Sequence, residues 1–225
     1  MKSKALVVLS GGQDSVTCLG LALKKHDEVE CIGFVYGQKH SVEIQCAVAL
    51  CKELDIKYTI VQIPALQQFN DSALIQGNGQ GVNDEHEYKE ELPASFVPAR
   101  NATFLTLAHG YAQKIKANVI ITGVCQTDYS GYPDCRNEFI EQLETALNTG
   151  YETNILIDTP LMWLTKSETF KLAEEIDFLT HVIEKSHTCY NGVRVILHRW
   201  GYGCGECGAC ELRAKGFEEF DNGRC

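Results

Sequence analysis

Ala5-Leu6-Val7-Val8-Leu9-Ser10-Gly11-Gly12-Gln13-Asp14-Ser15 is the stretch on which the reading of the whole chain turns. Its first five residues form a continuous apolar run that ends at a glycine pair, which suits a strand buried on both faces of a parallel sheet. From Asp14 to Lys25 the pattern becomes helical, with Val16, Leu19 and Leu23 on one side. The hexad SGGQDS therefore lies where a first strand hands over to a first helix, and open α/β sheets bind ligands at the carboxyl ends of their strands. Gly11 and Gly12 let the backbone approach an anion with no side chain in the way, and the helix offers it free N–H groups and the positive end of its dipole. Ser10 and Ser15 add hydroxyl donors. The loop lacks the Gly-Lys-Ser/Thr of a kinase-type phosphate loop, since no lysine follows Gly12 before Lys24. No Gly-x-Gly-x-x-Gly is present here either. Without further support the loop would read as a plain glycine turn with Asp14 at the helix start.

Outward from this point the chain keeps a βαβαβ rhythm. Residues 29–36 read as a strand, 41–54 as a helix with Val42, Cys46, Ala49 and Leu50 on its apolar face, and 57–63 as a third strand. That order implies parallel strands with right-handed crossovers. Residues 67–98 break the rhythm with Gly77, Gly79, Gly81 and an acidic patch from Asp84 to Glu91. They read as a flap over the site or as a surface excursion. Helix (101–116), strand (117–123), helix (136–148) and strand (154–158) follow, and Thr165-Lys166-Ser167-Glu168 has the spacing of a capping box that opens a helix to about Ile176. The expected fold is α/β: a Rossmann-like, doubly wound parallel sheet of about five strands. Residues 1–183 would form that domain, and 184–225 a small cysteine-rich module packed on it.

The formal net charge of −10 disfavours long nucleic-acid ligands, which select a basic face. It leaves a nucleotide open, because a few amides and one or two cations hold one. No apolar run approaches membrane-spanning length, and the N-terminal apolar stretch is too short for a signal peptide. The expected compartment is the cytoplasm. Eleven cysteines in such a chain do not read as a disulfide framework. Cys18, Cys31, Cys46, Cys51 and Cys125 lie in apolar stretches and read as small buried hydrophobes.

The last cysteines differ. Cys189 is followed by fourteen residues and then by Cys204-x-x-Cys207-x-x-Cys210. Four thiolates are the complement of a tetrahedral structural zinc site and leave no open position for catalysis. Gly203, Gly205 and Gly208 permit the turns that aim the sulfurs inward. An iron–sulfur cluster and a redox dithiol are the rivals.

The hexad resembles the SGGxDS loop of the ATP-pyrophosphatase superfamily, whose members cleave ATP between the α and β phosphates and transfer the adenylyl group. Further stretches narrow the resemblance: Tyr36-Gly37-Gln38-Lys39-His40, Phe96-Val97-Pro98-Ala99-Arg100-Asn101, the segment from Asp128 to Arg136 (DYSGYPDCR), Thr188-Cys189-Tyr190-Asn191-Gly192, and Gly203 to Cys210 (GCGECGAC). In this order, over nearly the whole chain, they resemble the 7-cyano-7-deazaguanine synthase (QueC) family. Two departures stand out. The Cys189–Cys204 gap is longer than that family's, with an extra segment around Val193 to Trp200 that suits a small hairpin. Ala99 stands where the family often has glycine.

The resemblance implies a carbon–nitrogen ligase of queuosine biosynthesis. It would convert 7-carboxy-7-deazaguanine and ammonia, with two ATP, to the nitrile, AMP and pyrophosphate, through an adenylated acid and then an adenylated amide. Such steps depend on positioning and charge neutralisation, which fits the absence of a nucleophile triad. The nucleotide stretch would comprise Leu9, Ser10, Gly11, Gly12, Gln13, Asp14, Ser15, Val16, Thr17, Cys18 and Leu19, with Asp14 also facing magnesium. Lys166 and Arg100 would neutralise phosphate charge, and Asp14, Lys166 and Arg100 form the expected catalytic set. Asp134 would accept from a guanine-like edge, Arg136 would hold the carboxylate, and Gln38 and His40 would line the pocket. His109 reads as packed. Zinc on Cys189, Cys204, Cys207 and Cys210, free ammonia or a separate donor, and a homodimer complete the expectation, with no membrane or nucleic-acid partner. Two rivals are a tRNA-thiolating relative, which would need a basic face or an RNA-binding domain, and a zinc-ribbon binding module with a vestigial nucleotide site.

Overall fold

The computed structural model describes residues 3–68, 75, 85–86, 89–93, 95–127 and 132–223. The apolar run at its start is β1 (Lys4–Val8), the middle strand of a five-stranded sheet. The SGGQDS loop joins it to α1 (Gln13–Lys25), and β2 (Glu28–Val35), α2 (Val42–Glu53) and β3 (Tyr58–Gln62) follow. A short α3 (Pro64–Gln68) and an antiparallel pair, β4 (Glu85–His86) and β5 (Lys89–Pro93), precede α4 (Arg100–Ile115). Then come β6 (Val119–Ile121), a 3₁₀ turn (Pro133–Cys135), α5 (Asn137–Tyr151) and β7 (Leu156–Asp158). The chain closes with α6 (Lys166–Glu175), α7 (Leu179–Lys185), the hairpin β8 (Leu197–His198) and β9 (Gly201–Tyr202), and α8 (Gly208–Asp221).

The sheet order is β3-β2-β1-β6-β7, and every pairing in it is parallel. The side-chain period of two explains why β1 is apolar from Ala5 to Val8. Ala5 and Val7 point into a core shared with α1, α2, α6, α7 and α8, whereas Leu6 joins Leu105, Ala108 and Ala112 of α4 and Ile140 and Leu147 of α5 on the other face. β6 divides likewise, Val119 and Ile121 to one side and Ile120 to the other. The expected doubly wound α/β architecture is therefore the observed one. The order in which strands are added reverses at β1, outward to β3 on one side and to β7 on the other, so the connections leaving the carboxyl ends of β1 and β6 part there and leave a crevice.

Three helices, α3, α7 and α8, fall outside the elements read from sequence. Most of the expected flap at 67–98 lies outside the described residues. Within it, β4 and β5 pair, and Ile75 bridges to Gln38. The hairpin expected around Val193 to Trp200 is present but offset, since β8 lies within that segment and β9 follows Trp200. The Cys-rich end packs through α8 onto α6. Phe217 meets Phe170 edge-on at 5.3 Å, and a Cβ at Gly216 would stand 2.4 Å from Lys166 Cβ, so only glycine lets the helices approach this closely. No helix among the described residues is long and apolar enough to cross a membrane.

Candidate active site

The crevice is a cavity of about 360 Å³. Its floor is the SGGQDS loop. Gly11 has φ +95, and a Cβ there would meet the Glu43 carbonyl oxygen at 2.0 Å, so no other residue fits between the loop and α2. The loop satisfies itself with its own hydroxyls. Gly11 N–H donates to Ser15 Oγ and Gly12 N–H to Ser10 Oγ, each at 3.1 Å. Gly12 caps α1 with no side-chain hydrogen bond, which leaves the helix's first N–H groups to a ligand.

Leu9, Ser10, Gly12, Gln13, Asp14 and Ser15 line the cavity. The Gln13 carboxamide is 1% exposed, and neither of its polar atoms has a hydrogen-bond partner among the described residues. Val16, Thr17, Cys18 and Leu19 are fully buried one turn further along α1 and do not line it. Gly11 contributes geometry rather than surface. Its carbonyl accepts the His187 N–H at 2.9 Å, which ties the loop to the segment entering the cysteine cluster.

Lys166 reaches the loop from α6. Thr165 and Glu168 close the expected capping box, with Glu168 N–H to Thr165 Oγ1 at 3.3 Å and Thr165 N–H to Glu168 Oε2 at 2.7 Å. That cap fixes the first residue of the helix, and Lys166 Nζ contacts both Asp14 carboxylate oxygens at 2.8 and 2.7 Å. Two residues 152 positions apart thus meet beside the loop. A lysine at a helix N-terminus opposes the dipole, so its place there answers to the anionic site and not to helix stability.

Arg100 opens α4 and lies over the Tyr132 ring at 5.8 Å. Burial works against its charge, but Tyr36, Tyr132, Asp134 and Cys135 outweigh it and hold the guanidinium firmly protonated. Its helix is capped by Ala99 in the left-handed region, φ 63, which gives a physical reason for glycine at this position. Tyr36, Phe104, Tyr132 and Tyr190 supply ring surface to the cavity, and Tyr36 and Phe104 contact each other at 5.4 Å. Gln38 and His40 line it as well. Gln38 is held by Tyr36 N–H at 2.9 Å.

Asp134 and Arg136 do not line the cavity. Asp134 turns to α4, where its carboxylate accepts the Asn101 N–H at 3.3 Å, and Arg136 is an exposed residue at the start of α5. Residues 128–131 of the same segment lie outside the described residues. His109 is packed, bonded to Asn148 Oδ1 at 3.3 Å and Thr153 Oγ1 at 3.2 Å.

Several lining residues carried no signal in the sequence. Glu43 reads as a surface acid in the first turn of an amphipathic helix, yet it enters the cavity because α2 is pressed onto Gly11. Burial raises its carboxyl to about 7, with Arg100 pulling down and Asp14 pushing up. His187 is 1% exposed with both ring nitrogens unpartnered among the described residues, and burial with the Arg194 and Arg213 charges lowers it to about 4. Arg213 is fully buried and bridges Trp200 O, Thr188 Oγ1 and Val182 O at 2.7–2.8 Å.

One wall of the cavity, from His187 to Tyr190 and from Ala209 to Arg213, belongs to the cysteine-rich segment. The Sγ atoms of Cys189, Cys204, Cys207 and Cys210 all lie within 4.8 Å of one another, and Cys204 and Cys210 are 3.9 Å apart. This cluster can hold a metal ion. Burial pushes the Cys204 thiol up, but the N–H groups of Glu206 and Cys207 and the neighbouring thiols bring it down to about 7.

Known proteins resemble this chain over nearly its whole length. A 7-cyano-7-deazaguanine synthase of Helicobacter acinonychis (strain Sheeba) is 49% identical over 215 residues, covering 96% of each chain. One of Wolinella succinogenes is 51% identical over 218 residues, 97% of this chain and 94% of its own. Among solved structures, a 4-thiouridine synthetase in complex with RNA and bound ATP aligns with 98% of this chain and 51% of its own, at 17% identity and a TM-score of 0.48. The sequence profile of the family described as queuosine biosynthesis protein QueC matches residues 4–221, and with these relatives it shows that the chain is an enzyme of the QueC family.

Proposed function

We propose that the chain is an ATP-dependent carbon–nitrogen ligase that makes 7-cyano-7-deazaguanine from 7-carboxy-7-deazaguanine and ammonia, with adenylated acid and amide intermediates. The observation that carries this reading is the Asp14–Lys166 pair set on an open helix N-terminus at the sheet's switch point. A carboxylate is a poor electrophile, and adenylation turns its oxygen into a leaving group. The loop amides and α1 would hold pyrophosphate as it departs, and Lys166 would neutralise the charge that develops on it. Arg100, beside the aromatic surface of Tyr132, suits a planar heteroaromatic acid. Inside the pocket, Gln13 adds a donor and an acceptor that have no partner among the described residues.

Magnesium would enter with the nucleotide, with Asp14 the carboxylate at the loop. When bound it supplies charge neutralisation at the phosphates. Zinc is the ion we assign to the four cysteines. Zn–S bonds of about 2.3 Å place tetrahedral sulfurs about 3.8 Å apart, and the 3.9 Å between Cys204 and Cys210 supports a single ion over a multi-iron cluster. With four protein ligands its role is structural, and residues 184–225 then form a module packed on a domain of residues 1–183. A cytoplasmic homodimer belongs to the same reading. With Asp134 facing α4 and Arg136 exposed, Arg100 becomes the first candidate to hold the carboxylate.

The test is incubation with ATP, magnesium, ammonium and 7-carboxy-7-deazaguanine, followed by mass analysis. Substrate-dependent AMP and the nitrile are expected, and AMP that forms equally without the acid defeats the reading.

A further inference from the structure

We propose that Glu43 takes the proton from ammonium in the amidation step, a role that rests on the reaction just proposed. Among the described residues that line the cavity, only Asp14 and Glu43 carry carboxylates. Asp14 has both oxygens on Lys166 Nζ, at 2.8 and 2.7 Å. The Glu43 carboxylate makes no hydrogen bond or ion pair among the described residues. It is therefore the carboxylate left to accept from a small cation.

Its position fits the step. A Cβ at Gly12 would stand 3.9 Å from Glu43 Oε1, so the carboxylate overlooks the end of the loop where an adenylyl group joined to the substrate would sit. The charged and titratable groups that act on it are Arg100 from α4, Asp14 from α1, Tyr36 after β2, Tyr58 of β3, Cys46 on its own helix, and Tyr190 beyond α7. Arg100 is the single cation in that set. Burial dominates and keeps the proton affinity of Glu43 near neutrality, where a carboxyl both accepts and returns a proton. The same burial makes ammonium easier to deprotonate.

The step balances. One ammonium proton passes to Glu43, and the freed lone pair forms the C–N bond at the adenylated carboxyl carbon. The C–O bond to AMP breaks, and its electron pair leaves with AMP. A second N–H proton goes to solvent to give the amide, and Glu43 returns its own proton to solvent.

Two half-reactions separate the outcomes in the full-length holoenzyme. Pyrophosphate–ATP exchange with 7-carboxy-7-deazaguanine, and no ammonium, reads adenylation alone. Amide and nitrile formation reads the use of ammonium. Glu43→Gln is expected to lose at least about tenfold more in kcat/KM for ammonium at neutral pH than in exchange. The deficit should shrink as pH rises and free ammonia accumulates, and also with hydroxylamine, which is uncharged at neutral pH. Equal losses in both half-reactions, or unimpaired use of ammonium, overturn the assignment. Absence of exchange in the wild-type enzyme overturns the reaction itself and the assignment with it. If Glu43→Gln does not fold, the wild-type pH profile decides. At fixed total ammonium, kcat/KM should level off above about pH 7, where Glu43 is ionised, and a continued tenfold rise per pH unit overturns the role.

Discussion

The SGGQDS loop and the cysteine-rich segment form two walls of one cavity and keep their shape by opposite means. Six contiguous residues make the loop, and the Ser10 and Ser15 hydroxyls close it through bonds that span two to five positions. It needs glycine at position 11 and little else. The opposite wall runs through four thiols spread from Cys189 to Cys210, joined by turns and a two-residue hairpin. Such a segment has few local hydrogen bonds of its own, and on the metal reading proposed above an ion that neutralises the sulfurs would order it. Local hydrogen bonds survive the loss of a ligand, and order lent by a metal leaves with the metal.

The contrast can be broken from its strongest side first. Cys207→Ser should release the metal, lower the thermal midpoint by about 10 °C or more, and abolish AMP formation. Metal analysis and calorimetry read it, and full activity without metal would show that the wall holds itself. Lys166→Ala should reduce kcat about 100-fold or more while metal content stays at wild-type level. Loss of metal in that variant would mean the two walls are not separable. Gly216→Ala places a methyl 2.4 Å from Lys166 Cβ and should cost about 1–3 kcal/mol. It should lower kcat less than Lys166→Ala, because α8 props the lysine without replacing it. Ala99→Gly relieves a left-handed φ of 63 and should stabilise the fold by about 1 kcal/mol in denaturant titration, with metal content unchanged.

The same contrast governs what could be read from the sequence. β1, the loop and α1 were legible because residues 5–15 carry their own instructions: a buried strand, two glycines and a helix start. The parallel order followed from the alternation of strands and helices, and the four cysteines from their spacing. Glu43, His187, Tyr190 and Arg213 were not legible as site residues, since no local pattern distinguishes them from a surface acid, a packed histidine or a surface arginine. They enter the cavity only because α2 presses on Gly11 and because Arg213 gathers three distant oxygens. Asp134 shows the reverse. Its place in a motif suggested substrate, and its carboxylate is spent on the α4 backbone.

The hydrogen bond from His187 N–H to the Gly11 carbonyl has a thermodynamic corollary. On the reading proposed above it would couple a nucleotide-binding loop to a metal-ordered segment, and coupling between two sites is reciprocal. Whatever factor the metal adds to nucleotide affinity, the nucleotide must add to metal affinity. The enzyme would then hold its ion most tightly while it is turning over ATP, and surrender it most readily to a chelator when the cell is starved of nucleotide.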